Sequence, residues 1–232
     1  MEINKILHAD CMDVMRGLPD KAFELAIVDP PYGLGMEEGN SHWIRQKFTG
    51  KGKSWDGGIP NADYFKELNR VSVEQIVWGG NYFVEYLPPS MGWICWFKTN
   101  ECVGRQFSEF ELAYSSFQKA ARIVERKPFQ KGGTRIHPTQ KPVEVYKWLL
   151  QNYAKPGDRI LDTHSGSGSL ALACDQLGFD FLAIELDEEY YKASCKRLHE
   201  QQTQLSLFSG AAPKLTNKQA KALKAREQLK LL

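Results

Sequence analysis

Little in this chain of 232 residues points to disulfide, metal or membrane chemistry. Its five cysteines (Cys11, Cys95, Cys102, Cys174 and Cys195) form no C-x-x-C pair and no regular framework. They read as reduced thiols of a cytoplasmic protein. No His/Cys cluster has zinc-ligand spacing, so no metal is expected. No apolar run approaches the roughly 20 residues of a membrane span. The opening residues Met1-Glu2-Ile3-Asn4-Lys5 lack the basic region and long apolar run of a signal peptide. Neither sign of charge dominates. Thirty basic side chains against 28 acidic ones leave a net charge of +2, too little by itself to argue for a polyanionic partner. What is present is 42% hydrophobic and 12% aromatic residues, enough for one ordinary core. We expect one domain over 1–201 and a tail over 202–232.

The most informative stretch is Asp29-Pro30-Pro31-Tyr32. It follows Phe23-Glu24-Leu25-Ala26-Ile27-Val28, a buried strand with one polar interruption. Two prolines end the ladder, because neither has an N–H and both fix φ. A stiff turn is left at the carboxyl end of a strand, where open α/β sheets bind ligands. The turn offers a carboxylate, bare carbonyls and a ring. An exocyclic amine on a base is a poor nucleophile, because its lone pair is delocalised into the ring. The Asp29 carboxylate and the Pro30 carbonyl can accept both amine hydrogens and aim the lone pair at an electrophile. Tyr32 can stack on the base. The competing reading is a strand-ending turn with an N-capping aspartate.

Taken in order, the chain predicts a strand over Ile3–His8 and a helix capped by Asp10. A long segment at 33–60 holds six glycines between Gly35 and Gly58. Arg45, Lys47, Lys51 and Lys53 are interleaved there with Trp43, Phe48 and Trp55. It reads as a mobile loop for phosphate contact and base stacking, or as a solvated insertion. Asn61–Val71 is a helix and Gln75–Trp78 a strand ending at Gly79-Gly80. Trp93–Phe97 is a central strand and Phe110–Phe117 another. The segment 118–136 is the densest basic stretch of the globular part, with Lys119, Arg122, Arg126, Lys127, Lys131 and Arg135, and suits a phosphate backbone. His137-Pro138-Thr139-Gln140-Lys141-Pro142 introduces a helix running to about Tyr153.

A βαβ unit follows. Arg159–Asp162 is a short strand, and Asp162-x-x-Ser165-Gly166-x-Gly168 is a glycine loop. Leu170–Leu177 is a helix closed by Gly178. Phe181–Ile184 is a strand ending at Glu185, and Tyr190 to about Gln201 is the last core helix. Paired glycines let backbone approach a ligand, and an acid at the second strand end can grip ribose hydroxyls. The third glycine of the dinucleotide fingerprint is Ala171, which demotes NAD without excluding it. Asp162, placed before the loop, favours the ammonium of an amino-acid moiety over a pyrophosphate. That points to S-adenosyl-L-methionine.

Three stretches, Asp29–Tyr32, His137–Pro142 and Asp162–Gly168, together resemble the motifs of amino-group DNA methyltransferases. Their order, catalytic turn first and cofactor loop last, resembles the circularly permuted beta class, especially small phage and prophage adenine methyltransferases. The resemblance covers about Asn4 to Leu198. It implies an α/β, Rossmann-like S-adenosylmethionine-dependent methyltransferase fold, with a mixed central sheet and helices on both faces. Asp10 and Cys11 match the segment contacting the cofactor adenine. Thr139, Gln140 and Lys141 match the segment holding the methionine carboxylate. Asp162, Ser165, Gly166 and Gly168 match the methionine loop, and Glu185 the ribose acid. The expected reaction is direct methylation of a flipped base in double-stranded DNA. Asp at position 29 favours adenine N6 over cytosine N4 by resemblance. An RNA or protein methyltransferase, or a silent DNA-binding relic, remains an alternative. One departure is the small room for target recognition between Phe117 and His137.

In the tail, Gln204-Leu205-Ser206-Leu207-Phe208 matches the short peptide that docks on the bacterial replicative sliding clamp, with Gln204, Leu205, Leu207 and Phe208 as anchors. The alternative is that these side chains fold back onto the domain. Thr216–Leu232 is a basic helix candidate with a capping box.

Overall fold

The computed structural model describes residues 3–34, 58–104, 108–128, 136–137 and 139–208. The expected 33–60 loop falls largely outside them, as do Lys131, Arg135, Pro138 and the segment from 209 onward.

Eight strands form one sheet in the order β1-β8-β7-β2-β3-β5-β4-β6. They are β1 Lys5–His8, β2 Phe23–Val28, β3 Ser72–Trp78, β4 Ile94–Phe97, β5 Phe110–Ser115, β6 Arg122–Glu125, β7 Arg159–Asp162 and β8 Asp180–Glu185. All neighbours pair in parallel except β5, which runs against both β3 and β4. The consequence is geometric. The carboxyl ends of seven strands and the start of β5 share one edge of the sheet.

Among the described residues the α-helices are α1 Cys11–Arg16, α2 Ala62–Val71, α3 Val143–Tyr153, α4 Ser169–Leu177 and α5 Glu188–Phe208. Their caps follow the sequence. Asp10 accepts from the Met12 N–H, and Asn61 accepts from Asp63 and Tyr64. Gly178 closes α4 in the left-handed conformation at φ +73°. Strand β2 is buried on both faces, and its residues feed two cores. Leu25 and Ile27 pack toward α3 and α4, among Leu149, Leu150, Leu170 and Ala173. Phe23, Ala26 and Val28 pack toward α1 and α2, among Met15, Phe65, Leu68 and Val71. The polar interruption Glu24 is explained by Arg159. Its guanidinium lies 3.0 Å from Oε1, and its backbone N–H donates to Oε2 at 2.7 Å.

Three expectations change. Trp93–Phe97 is not central, because β4 stands one strand from the edge. The strand β6 lies inside the segment expected only as a basic contact surface. Of its four residues only Val124 is buried, so it has almost no apolar signature. The last helix runs to Phe208 instead of ending near Gln201. Gln201 and Gln202 both donate to Asp175 of α4 and carry the helix on. Residues 204–208, expected in a tail outside the core, therefore stand in this helix. Among the described residues no helix is long and apolar enough to cross a membrane.

Candidate active site

The chemistry-bearing residues gather on the shared edge. Asp29 follows β2, and Asp162 ends β7, the strand paired with it. Glu185 ends β8, Gly79 follows β3, Lys98 follows β4, and Glu111 opens β5.

Both oxygens of Asp29 are engaged. Oδ1 accepts from the Tyr32 hydroxyl at 2.6 Å, and Oδ2 accepts from Lys141 Nζ at 2.5 Å. The Lys141 ammonium also lies 3.1 Å from Glu111 Oε2 and 3.3 Å from the Tyr32 oxygen. Glu111 Oε1 in turn meets Lys98 Nζ at 2.7 Å. Lys141 is buried against the Trp78 ring, 5.0 Å from its centroid. Burial alone would lower the Lys141 pKa, but Asp29 and Glu111 more than offset it, and the ammonium is held above its ordinary range. Burial would raise Glu111, yet the ammoniums of Lys141 and Lys98 hold its carboxyl low.

Tyr32 is locked from both ends. Its ring stacks on Tyr82 at 5.1 Å and meets Phe83 edge-on. Burial and the neighbouring Asp29 push its hydroxyl pKa up, so it remains a donor. The ring lies where Gly79 has no side chain. A Cβ there would stand 2.2 Å from Tyr32 Cε1, and the φ of +68° is itself unfavourable to other residues.

The glycine loop next door is built differently. Asp162 is buried and accepts from the His164 N–H at 3.2 Å. Burial pushes its pKa up to about 8. Glu185 accepts one bond at each oxygen, from the Gly166 N–H at 2.6 Å and the Asp187 N–H at 2.9 Å. Burial raises its pKa too. Gly166 and Gly168 take φ of +50° and +72°. A Cβ on Gly168 would stand 3.0 Å from Ser194 Cβ, so the loop needs that glycine for packing as well. Ser165 Oγ is buried with no partner. This donor set fits S-adenosyl-L-methionine. Asp162 suits its ammonium, the orphaned Ser165 hydroxyl suits a polar group, and the remaining lone pairs of Glu185 suit ribose hydroxyls.

Other expected residues are placed as follows. Asp10 caps α1, and burial followed by the Asp10 charge pushes the Cys11 thiol up to about 12, so it is no thiolate. Thr139 Oγ1 lies 3.1 Å from His137 Nδ1, and Gln140 Oε1 accepts from the Ile136 N–H. Lys141 leaves that group and joins the Asp29 turn, so the segment expected to hold a carboxylate is divided. Arg126 and Lys127 follow β6 at the site edge, with Lys127 paired to Glu101. Arg122 opens β6 and lies over the Trp148 ring. Arg45, Lys47, Lys51, Lys53 and Arg135 lie outside the described residues. Glu111 and Tyr82 were not anticipated. The available signal for Glu111 was a lone acid opening an apolar strand. Among the described residues no cluster suits a metal ion.

Residues 74–196 match the N6/N4 family model described as DNA methylase. The chain belongs to the N6/N4 amino-group DNA methyltransferase family. The family match takes in Lys98, Glu111, Lys141 and the glycine loop, and Asp29 lies upstream of it. The type II methyltransferase M2.MboI of Moraxella bovis is 24% identical over 238 residues, 84% of this chain and 87% of that one. Among solved structures, the complex of M1.HpyAVI with SAM aligns with a TM-score of 0.58 at 20% identity, covering 84% of this chain and 98% of that one. The cytosine-N4-specific PvuII DNA methyltransferase aligns with a TM-score of 0.56 at 12% identity, covering 86% and 91%. These likenesses extend the shared fold of this methyltransferase family member across most of the chain.

Proposed function

We propose that this family member transfers the methyl group of S-adenosyl-L-methionine to the N6 amine of adenine in DNA. The observation that carries the reading is the adjacency of two strand ends. Ala26 of β2 pairs with Leu161 of β7, so the Asp29 turn and the Asp162 loop open side by side on one edge. That adjacency supports an acceptor for an amine beside a site for an amino-acid cofactor, at the sheet edge where open α/β sheets bind ligands.

When bound, S-adenosyl-L-methionine supplies an activated methyl group. The chain's own residues do the rest. Asp162, Ser165 and Glu185 hold the cofactor against the glycine loop. Asp29 and the Pro30 carbonyl accept the two amine hydrogens and turn the nitrogen lone pair toward the methyl. The Tyr32–Tyr82 pair gives the flipped base an aromatic wall. Flipping costs a few kcal/mol, which stacking offsets by about 1–3 kcal/mol. The advantage is orientation and pre-set polarity. Arg126 and Lys127 at the site edge, with Arg45, Lys47, Lys51, Lys53 and Arg135, supply cations for the phosphate backbone. Aspartate at position 29 favours adenine over cytosine, although the fold serves an N4-specific relative as well.

The test is mass spectrometry of nucleosides from unmethylated DNA incubated with labelled S-adenosyl-L-methionine. N6-methyladenine is expected with the parent protein and not with Asp29→Ala. N4-methylcytosine would overturn the choice of base. No label in any nucleoside, with cofactor bound, would overturn the choice of DNA.

A further inference from the structure

We propose that Glu111 is a positioning residue for methyl transfer, anchored by Lys98 and holding the Lys141 ammonium against Asp29. The inference rests on the reading of Asp29 as the amine's acceptor.

The four side chains form an alternating line of charge, Lys98–Glu111–Lys141–Asp29, with separations of 2.7, 3.1 and 2.5 Å. They come from four separate places in the chain and meet because β5 runs backward. Reversal brings the start of β5, and with it Glu111, to the edge where β2 and β4 end. Two cations and two anions cancel. That balance matters because the Lys141 side chain is only 2% exposed, and an unpaired ammonium there would be strongly unfavourable.

Lys141 has three N–H donors and three oxygen neighbours: Asp29 Oδ2, Glu111 Oε2 and the Tyr32 hydroxyl. Three directions fix the position of Nζ. Nζ and the Tyr32 hydroxyl then fix the plane of the Asp29 carboxylate, one at each oxygen. Without Glu111, one of the three directions is lost and the ammonium can swing. Asp29 loses its fixed plane, and with it the aim of the amine. Asp162 of β7 and Tyr146 of α3 also sense this cluster through space. Neither takes the place of Glu111 as a contact to Lys141. Glu111 touches no reacting atom and acts through Lys141.

The test uses steady-state kinetics of the full chain on DNA, with cofactor binding measured separately. Glu111→Gln is expected to lower kcat by roughly tenfold to a hundredfold, the scale of a displaced reacting group. KM for DNA and cofactor binding should stay at the parental values. Glu111→Asp should recover part of kcat, because it restores the charge. Glu111→Gln combined with Lys141→Met should be no slower than Lys141→Met alone, since both act through one contact. Parental kcat in Glu111→Gln overturns the proposal. So does a loss confined to KM or cofactor binding, or losses that multiply in the double variant. Should Glu111→Gln fail to fold, Glu111→Asp is read alone. Reduced kcat at unchanged KM supports the proposal, and parental kcat overturns it. Asp29→Ala run beside them separates the two readings. Transfer surviving in Asp29→Ala overturns the acceptor role of Asp29. Transfer lost there but parental in the Glu111 variants overturns only the positioning role.

Discussion

Two carboxylates end neighbouring strands, and their surroundings are opposite. Asp29 has a lysine of its own chain on one oxygen and a tyrosine on the other. Asp162, on the paired strand, is buried with the His164 amide donating to it, and its pKa rises to about 8. On the proposed reading, the difference separates two kinds of work. A carboxylate that must aim a neutral amine needs to be fixed before substrate arrives, and internal partners fix it. A carboxylate that must receive a ligand's cation needs to stay uncompensated until that cation comes. Burial outweighs the through-space charge of Lys141, and the pKa raised to about 8 keeps it in waiting.

The comparison can be broken most severely at the turn. Asp29→Ala removes the fixed acceptor, and methyl transfer should fall on the order of a thousandfold, with cofactor binding retained. A radiolabel-transfer assay beside a binding titration reads both. At the loop, Asp162→Asn should weaken cofactor binding by about 10–100-fold, the worth of one charge-assisted contact. The parent should show a pH dependence that this variant lacks. On the proposed reading the cofactor's cation pairs with ionised Asp162, so below pH about 8 binding must first release a proton. Affinity should therefore fall as pH falls, by up to about tenfold per unit. Calorimetry in buffers of different ionisation enthalpy would count the proton.

A smaller effect is expected where the turn is supported. Gly79→Ala places a methyl on the Tyr32 ring and strains a positive φ. It should destabilise the fold by about 1–3 kcal/mol and lower kcat more than it weakens cofactor binding. Thermal melts and kinetics together would show it. The smallest effect belongs to the half-exposed Arg159–Glu24 pair at the other end of the same two strands. Arg159→Ala should lower stability by no more than about 1 kcal/mol and leave transfer at the parental rate.

Much of this was legible in the sequence, for local reasons. Phe23–Val28 is a strand because its run is apolar but for Glu24 and two prolines stop it. The Asn61 and Gly178 caps are written in residue type. The glycine loop and its acid follow from spacing alone. What was hidden depends on contacts far apart in the chain. Lys141 meets Asp29 across 112 residues, and no local pattern reports that. The partnership with Glu111 exists only because one strand reverses. Strand β6 escaped because a four-residue edge strand with one buried side chain has no periodicity to detect. The helix over 204–208 escaped because its extension depends on Gln201 and Gln202 reaching α4.

The division of labour between the two carboxylates is tested most directly by titrating S-adenosyl-L-methionine into the parent, Asp29→Ala and Asp162→Asn, then measuring methyl transfer at saturating cofactor. Asp29→Ala should bind cofactor as the parent does and transfer almost nothing to DNA. Asp162→Asn should bind weakly and recover most of its transfer at saturation. Loss of cofactor binding in Asp29→Ala, or parental binding in Asp162→Asn, would contradict that division.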